Sequence, residues 1–147
     1  MANGAGGSSG FQNVVAILQN TVESINAITQ TISGALTQIW AAFVPVALTD
    51  GTTVSPDLST GINFTLTAGG ATRELANPTN AKIGQRGYIV ATNGPAGTTW
   101  TYDTEYQAAG GVATLAPATG ANQVSLFFYV VLPGPTIFLS VAPNVEH

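Results

Sequence analysis

The chain has 147 residues, of which 7% are charged and 45% hydrophobic, with a formal net charge of −4 and no cysteine. A typical soluble domain carries charge on about a quarter of its residues, so Thr, Ser, Asn, Gln and Gly must supply the polar surface, a composition that suits an obligate oligomer better than a monomer. Three basic residues, Arg73, Lys82 and Arg86, are too few to displace counterions from a phosphate backbone, which excludes nucleic acid as a partner, while the lack of cysteine removes disulfides, thiol nucleophiles and cysteine metal sites.

Residues 1–10, MANGAGGSSG, offer no core-forming side chain and are expected to form a flexible or docking arm. They show neither the basic segment nor the apolar stretch of a secretory signal. Ser9 and Gln12 fit a capping box, which places helix entry near Phe11. From there, steps of four and three meet Phe11, Val15, Leu18, Val22, Ile25, Thr29, Ile32, Leu36, Ile39 and Phe43, and only Thr29 is not apolar. A 3.5-residue repeat sustained across residues 11–44 is the seam of a coiled coil. With Val15, Val22, Thr29, Leu36 and Phe43 at a, the d positions are Phe11, Leu18, Ile25, Ile32 and Ile39. Isoleucine at d moves the preference from two strands toward three or four. Val14, Ile28, Ala35 and Ala42 widen the stripe on the g side, which suits a bundle of three. The expected assembly is a homotrimer, with Thr29 tolerated inside it if its hydroxyl bonds a carbonyl one turn earlier. The alternative is an amphipathic helix lying on its own domain, which a helix about 50 Å long would overhang. Leu36 to Leu48, the longest candidate membrane span, is interrupted by Thr37, Gln38 and Pro45 and is too short to cross a bilayer.

Pro45 is expected to end the helix. Residues 45–61 follow as a linker or collar, with turn signals at Asp50-Gly51 and Ser55-Pro56-Asp57. From Ile62 the period becomes two, opening a head domain over residues 62–147. Ile62, Phe64 and Leu66 alternate with Asn63, Thr65 and Thr67. Leu75 lies in a short segment closed by Asn77-Pro78-Thr79-Asn80. Tyr88 to Thr92, Thr98 to Tyr102 and Val112 to Leu115 read as strands separated by Gly-rich turns. Val124 to Leu132, apolar almost throughout, reads as a central strand buried on both faces. Pro133-Gly134-Pro135 turns the chain into a last strand, Thr136 to Val141. Six or seven such strands predict an antiparallel β-sandwich or barrel. The fold class is therefore α+β, a trimeric coiled-coil helix carrying a β head.

Chemistry has few candidates. The only histidine is His147, at the chain end, so imidazole acid–base work is not expected. Asp103 and Glu105 are the one close acid pair. On a strand they would share a face and could hold a cation or serve a glycosidase, although a solvated strand end is the plainer reading. Arg73-Glu74 reads as a surface charge pair. No glycine cluster is followed by the Lys-Ser or Lys-Thr of a phosphate loop. No catalytic residue, cofactor or metal is expected. Trp100, Tyr102 and Tyr106, rimmed by Asp, Gln and Thr, form a candidate sugar-stacking group. Trp100 and Tyr102 share a strand face that suits a core, whereas Tyr106, between Glu105 and Gln107, is expected to be exposed.

From Ile62 onward the chain resembles a domain at the ends of bacteriophage tail-fibre and head-fibre proteins and of related gene-transfer particles. The resemblance is carried by Asn63-Phe64-Thr65-Leu66-Thr67, Arg73 to Asn80, Gly84-Gln85-Arg86-Gly87-Tyr88-Ile89-Val90, the Trp100 to Tyr106 stretch, Gly110-Gly111 and Phe127-Phe128-Tyr129-Val130-Val131, in matching order over residues 62–142. It implies an elongated trimer with a helical stem and a β-rich head, serving as a virion appendage assembled in a bacterial host. Other virion proteins of the capsid or tail are the implied partners, and host surface polysaccharide would be the receptor if the head is an attachment domain. The arm or the hydrophobic Trp40 to Leu48 collar would dock to the particle.

Overall fold

The structure, a computed structural model, describes residues 6–134 and 136–144, and the chain divides into two units after Ala41. Its class is α+β. The first unit is built on α1, Gly6–Phe43. The helix begins upstream of Phe11 and takes in Gly6 to Gly10, so the expected arm is helical where it is described, and Ser9 is an interior residue rather than the cap. Residues 1–5 of the arm lie outside the described residues. Nothing between Gly6 and Phe11 forbids the helical conformation, and a nucleated helix gains one hydrogen bond for each residue it adds. α1 stops two residues before Pro45, whose ring would clash with the preceding turn. Thr21, Ser24, Thr29, Thr31 and Thr37 each donate a hydroxyl hydrogen bond to the carbonyl four residues earlier, at 2.8–2.9 Å. The helix thereby satisfies these five hydroxyls itself.

The second unit holds nine strands among the described residues: β1 Val46–Ala47, β2 Thr53–Val54, β3 Asn63–Thr67, β4 Thr72–Leu75, β5 Arg86–Thr92, β6 Thr99–Tyr102, β7 Tyr106–Gln107, β8 Val124–Leu132 and β9 Thr136–Pro143. They form a six-stranded sheet in the order β1-β3-β5-β8-β9-β7 and a three-stranded sheet in the order β2-β4-β6. This corrects the antiparallel expectation. Only β5–β8 and β8–β9 are antiparallel, and the other pairings are parallel. The reason lies in the order of the chain. From β1 to β6 successive strands alternate between the two sheets, so each returns to its own sheet running in the same direction. A parallel connection normally crosses over through a helix, but here a strand of the other sheet makes the crossing. Only β8 and β9, joined by the turn at Pro133-Gly134, form a direct hairpin.

The two sheets share one core. Phe64, Leu66, Ile89, Phe127 and Leu139 come from the large sheet, and Val54, Leu75 and Trp100 from the small one. The Trp100 ring meets Phe127 edge-on at 5.4 Å. Residues 45–61 are not a linker, because they supply β1 and β2, and Val54, Pro56 and Leu58 are buried. Val112 to Leu115 is not a strand either. Gly110 and Gly111 enter it at positive φ, and a 3-10 turn over Val112–Thr114 follows, pinned by the Thr114 hydroxyl donating to the carbonyls of Ala109 and Gly111.

β8 departs from expectation in a way that matters. Ser125, Phe127, Tyr129 and Val131 point into the core, while Phe128, Val130 and Leu132 point out and are 36–48% exposed. The small sheet covers only one side of the large one, so alternation replaces burial on both faces.

Arg73 does not pair with Glu74. It points inward beside Leu75 on β4, is 9% exposed, and grips Asp50 with two donors: Nε to Oδ1 and Nη2 to Oδ2, both at 2.6 Å. The Gly69 amide donates to the same carboxylate at 2.9 Å. The Arg73 hydrogen bonds hold the Asp50 carboxyl down at about 2, and Asp50 in turn raises the Arg73 guanidinium. Glu74 instead accepts a hydrogen bond from Thr53.

Candidate functional site: the helical seam

The seam is the most distinctive surface of the first unit. Phe11, Leu18, Val22, Ile25, Ile32, Leu36, Ile39 and Phe43 lie on α1 with 50–67% of their surface exposed. Val15 is half-buried and Thr29 exposed. Because 3.6 residues per turn nearly match the 3.5-residue spacing, these side chains form a single stripe down the helix. Within it, Val15, Leu18 and Val22, flanked by Gln19 and Glu23, border a shallow, open hollow on the helix surface. Such a hollow is what a knob from a partner helix fills in coiled-coil packing. The seam's one polar member, Thr29, donates its hydroxyl to the Ile25 carbonyl at 2.8 Å, which leaves its methyl free to pack.

The flanks carry almost no charge, and Glu23 is the only ionisable side chain of α1. The stripe differs from its flanks in shape and apolarity alone, with Thr29 in its middle.

Protein-family models, curated protein sequences and solved structures give no match to this chain. What it does must be read from its own surfaces.

The aromatic group gives little to a ligand. Trp100 is 7% and Tyr106 5% exposed, and Tyr102 is half-buried with its ring edge-on to both Tyr106 and Phe127 at 6.4 Å. Tyr106 is therefore a core residue rather than an exposed one. Its hydroxyl donates to the Ala76 carbonyl at 3.1 Å, which draws the ring inward. Stacking on a sugar needs an open ring face, and these faces are spent on one another. Burial raises the Tyr102 and Tyr106 hydroxyls and pushes Tyr129 up to about 12, so all three stay protonated at neutral pH.

Asp103 and Glu105 do not share a strand face, because the chain turns between β6 and β7 at these residues. Asp103 accepts the Thr104 amide at 2.7 Å, which lowers its carboxyl, and the Glu105 amide donates to Asn77 Oδ1 at 3.0 Å. Among the described residues no three acidic or histidine side chains gather around a common point. A recess of about 270 Å³ lies between the 108–116 loop and β9, and no titratable side chain lines it. His147 lies outside the described residues.

Sequence reasoning missed the Asp50–Arg73 pair and the outward apolar row on β8. The pair left only the Asp50-Gly51 turn signal. The row was hidden because its inward and outward neighbours are equally apolar.

Proposed function

We propose that this protein is a virion structural component, a short trimeric fibre or spike of a phage-like particle. It assembles through the α1 seam and projects a β head. The observation that carries the reading is the stripe from Phe11 to Phe43, apolar except at Thr29 and exposed along a 38-residue helix with one ionisable residue. Each seam side chain removed from water contributes about 1.5–3 kcal/mol, so three chains together are stable where one is not.

The mechanism is assembly. The stem sets the three-fold axis, and the N-terminal arm engages a capsid or tail protein of the particle. Val46 and Leu48 pack against the head core, so the docking collar reduces to Trp40 to Val44. A carbohydrate-recognising head for host attachment is the second reading, and the burial of Trp100 and Tyr106 weighs against it. Neither reading calls for a membrane span, and no described helix is long and apolar enough to cross a membrane. The test is the protein content of particles purified from a producing host. Quantitative mass spectrometry should find this chain in a copy number divisible by three, and its absence from intact particles would overturn the assignment.

A further inference from the structure

We propose that the outer face of the six-stranded sheet is a second contact between copies of this chain, where three heads meet around the axis that the seam sets. The inference rests on the trimeric reading above and names the partner of a surface which that reading leaves unused.

The face is a continuous lattice of paired residues. One row crosses it as Asn63, Tyr88, Phe128 and Ser140, and the next as Arg86, Val130 and Phe138. Paired residues lie on the same side of a sheet, so Phe128, Val130 and Phe138 form one patch, extended by Leu132 on the same strand. The first row also reaches the end of the seam. Asn63 Nδ2 donates to the Phe43 carbonyl at 3.0 Å, and Asn63 Oδ1 accepts the Tyr88 amide at 3.3 Å. Both bonds lie within the second unit, to which Phe43 belongs.

The occupant follows from what else the head exposes. Its large exposed apolar side chains among the described residues are Phe43, Val44, Ile83, Phe128, Val130, Leu132 and Phe138. Phe128, Val130, Leu132 and Phe138 belong to this face, and Phe43 and Ile83 lie at its border. Ile83 precedes Gly84, whose amide bonds the Val131 carbonyl at 2.9 Å beside Leu132. Among the described residues the head shows no second cluster of large exposed apolar side chains, and the patch is left to meet its own copies. Arg86 is the one charged side chain among the paired residues of the face, so apart from that single cation the face is uncharged.

The area agrees with a tethered contact rather than an independent one. Taking about 150–250 Å² for a free aromatic side chain and less for Val and Leu, the four patch residues offer roughly 300 Å² per chain. A free-standing interface needs about 800 Å² from each partner. Three heads joined to one stem face each other at millimolar effective concentration, where a contact of this size suffices.

The full-length chain lacks cysteine, so single thiols can be placed cleanly. Ser140→Cys puts one at an exposed position on the patch, paired with Phe128, and Thr101→Cys puts one at an exposed position of the small sheet. With copper-phenanthroline as oxidant, Ser140→Cys should give disulfide-linked dimers from about two thirds of the chains, since one thiol of every three is left over, while Thr101→Cys stays uncrosslinked. A particle of three-chain mass in which Ser140→Cys links no more than Thr101→Cys would overturn the head contact and leave the stem standing. A single-chain mass for the unmodified protein would overturn both.

Discussion

Asp50 and Arg73 form the strongest electrostatic contact in the head, and its geometry fixes how stability must depend on pH. The Asp50 carboxyl sits at about 2, against an ordinary value of 3.8. The pair therefore contributes fully above pH 4, and its contribution is lost as pH falls toward 2. Allowing for the partial solvent access of the carboxylate, about 1–2 kcal/mol is at stake. Thermal melts of the wild type should show this loss between pH 4 and 2, and Asp50→Asn should be less stable at neutral pH by about 2 kcal/mol, with a smaller further loss on acidification. An unchanged acid dependence in Asp50→Asn would remove the pair from the account. Gly87 makes a second residue-scale case, because a Cβ there would collide with the Ile62 carbonyl oxygen. Gly87→Ala must push β5 away from that backbone, and a loss of about 1–3 kcal/mol in denaturant midpoint analysis is expected. Neither case could be read from residue order. An arginine beside a glutamate suggests a local pair, and only the fold brings position 50 to position 73.

At the scale of elements, α1 was the most legible part of the chain. Its period, its seam from Phe11 to Phe43, its stop before Pro45 and the back-bonded Thr29 all follow from local chemistry, which a helix expresses without help from distant residues. Its start was less legible, since Gly6 to Gly10 look like a tail but join a helix already nucleated. Among the strands, Val124–Leu132 was placed residue for residue, but its two faces could not be told apart, because Phe127 and Phe128 are the same residue type. Val112 to Leu115 carries strand-forming residues, yet two glycines at positive φ turn the chain into a 3-10 turn. The seam account makes a sharp prediction at this scale. Ile32→Asp places a carboxylate from each chain at one layer of the stem, which none of the three can neutralise. The expected outcome is dispersal to single chains with loss of helical circular dichroism, and an unchanged mass would mean that the seam is not buried between copies.

For the whole molecule, the sequence reads as a helix over 11–44, a linker or collar over 45–61 and a β head from residue 62, whereas the chain divides after Ala41 and residues 45–61 belong to the second unit. The winding of the head was not legible. Alternating strand signals separated by Gly-rich turns suit a hairpin stack as well as a chain passing between two sheets, and strand direction leaves no mark in local composition. The charge-poor composition makes sense at this scale, because a molecule with an apolar seam on its helix and an apolar face on its head hides much of its surface only when copies come together. The central claim is that this assembly is a trimer, and light scattering coupled to gel filtration at micromolar concentration tests it most directly. The mass should be that of three chains and should hold on dilution well below that range, whereas a mass of one chain, 14.9 kDa, would contradict the account.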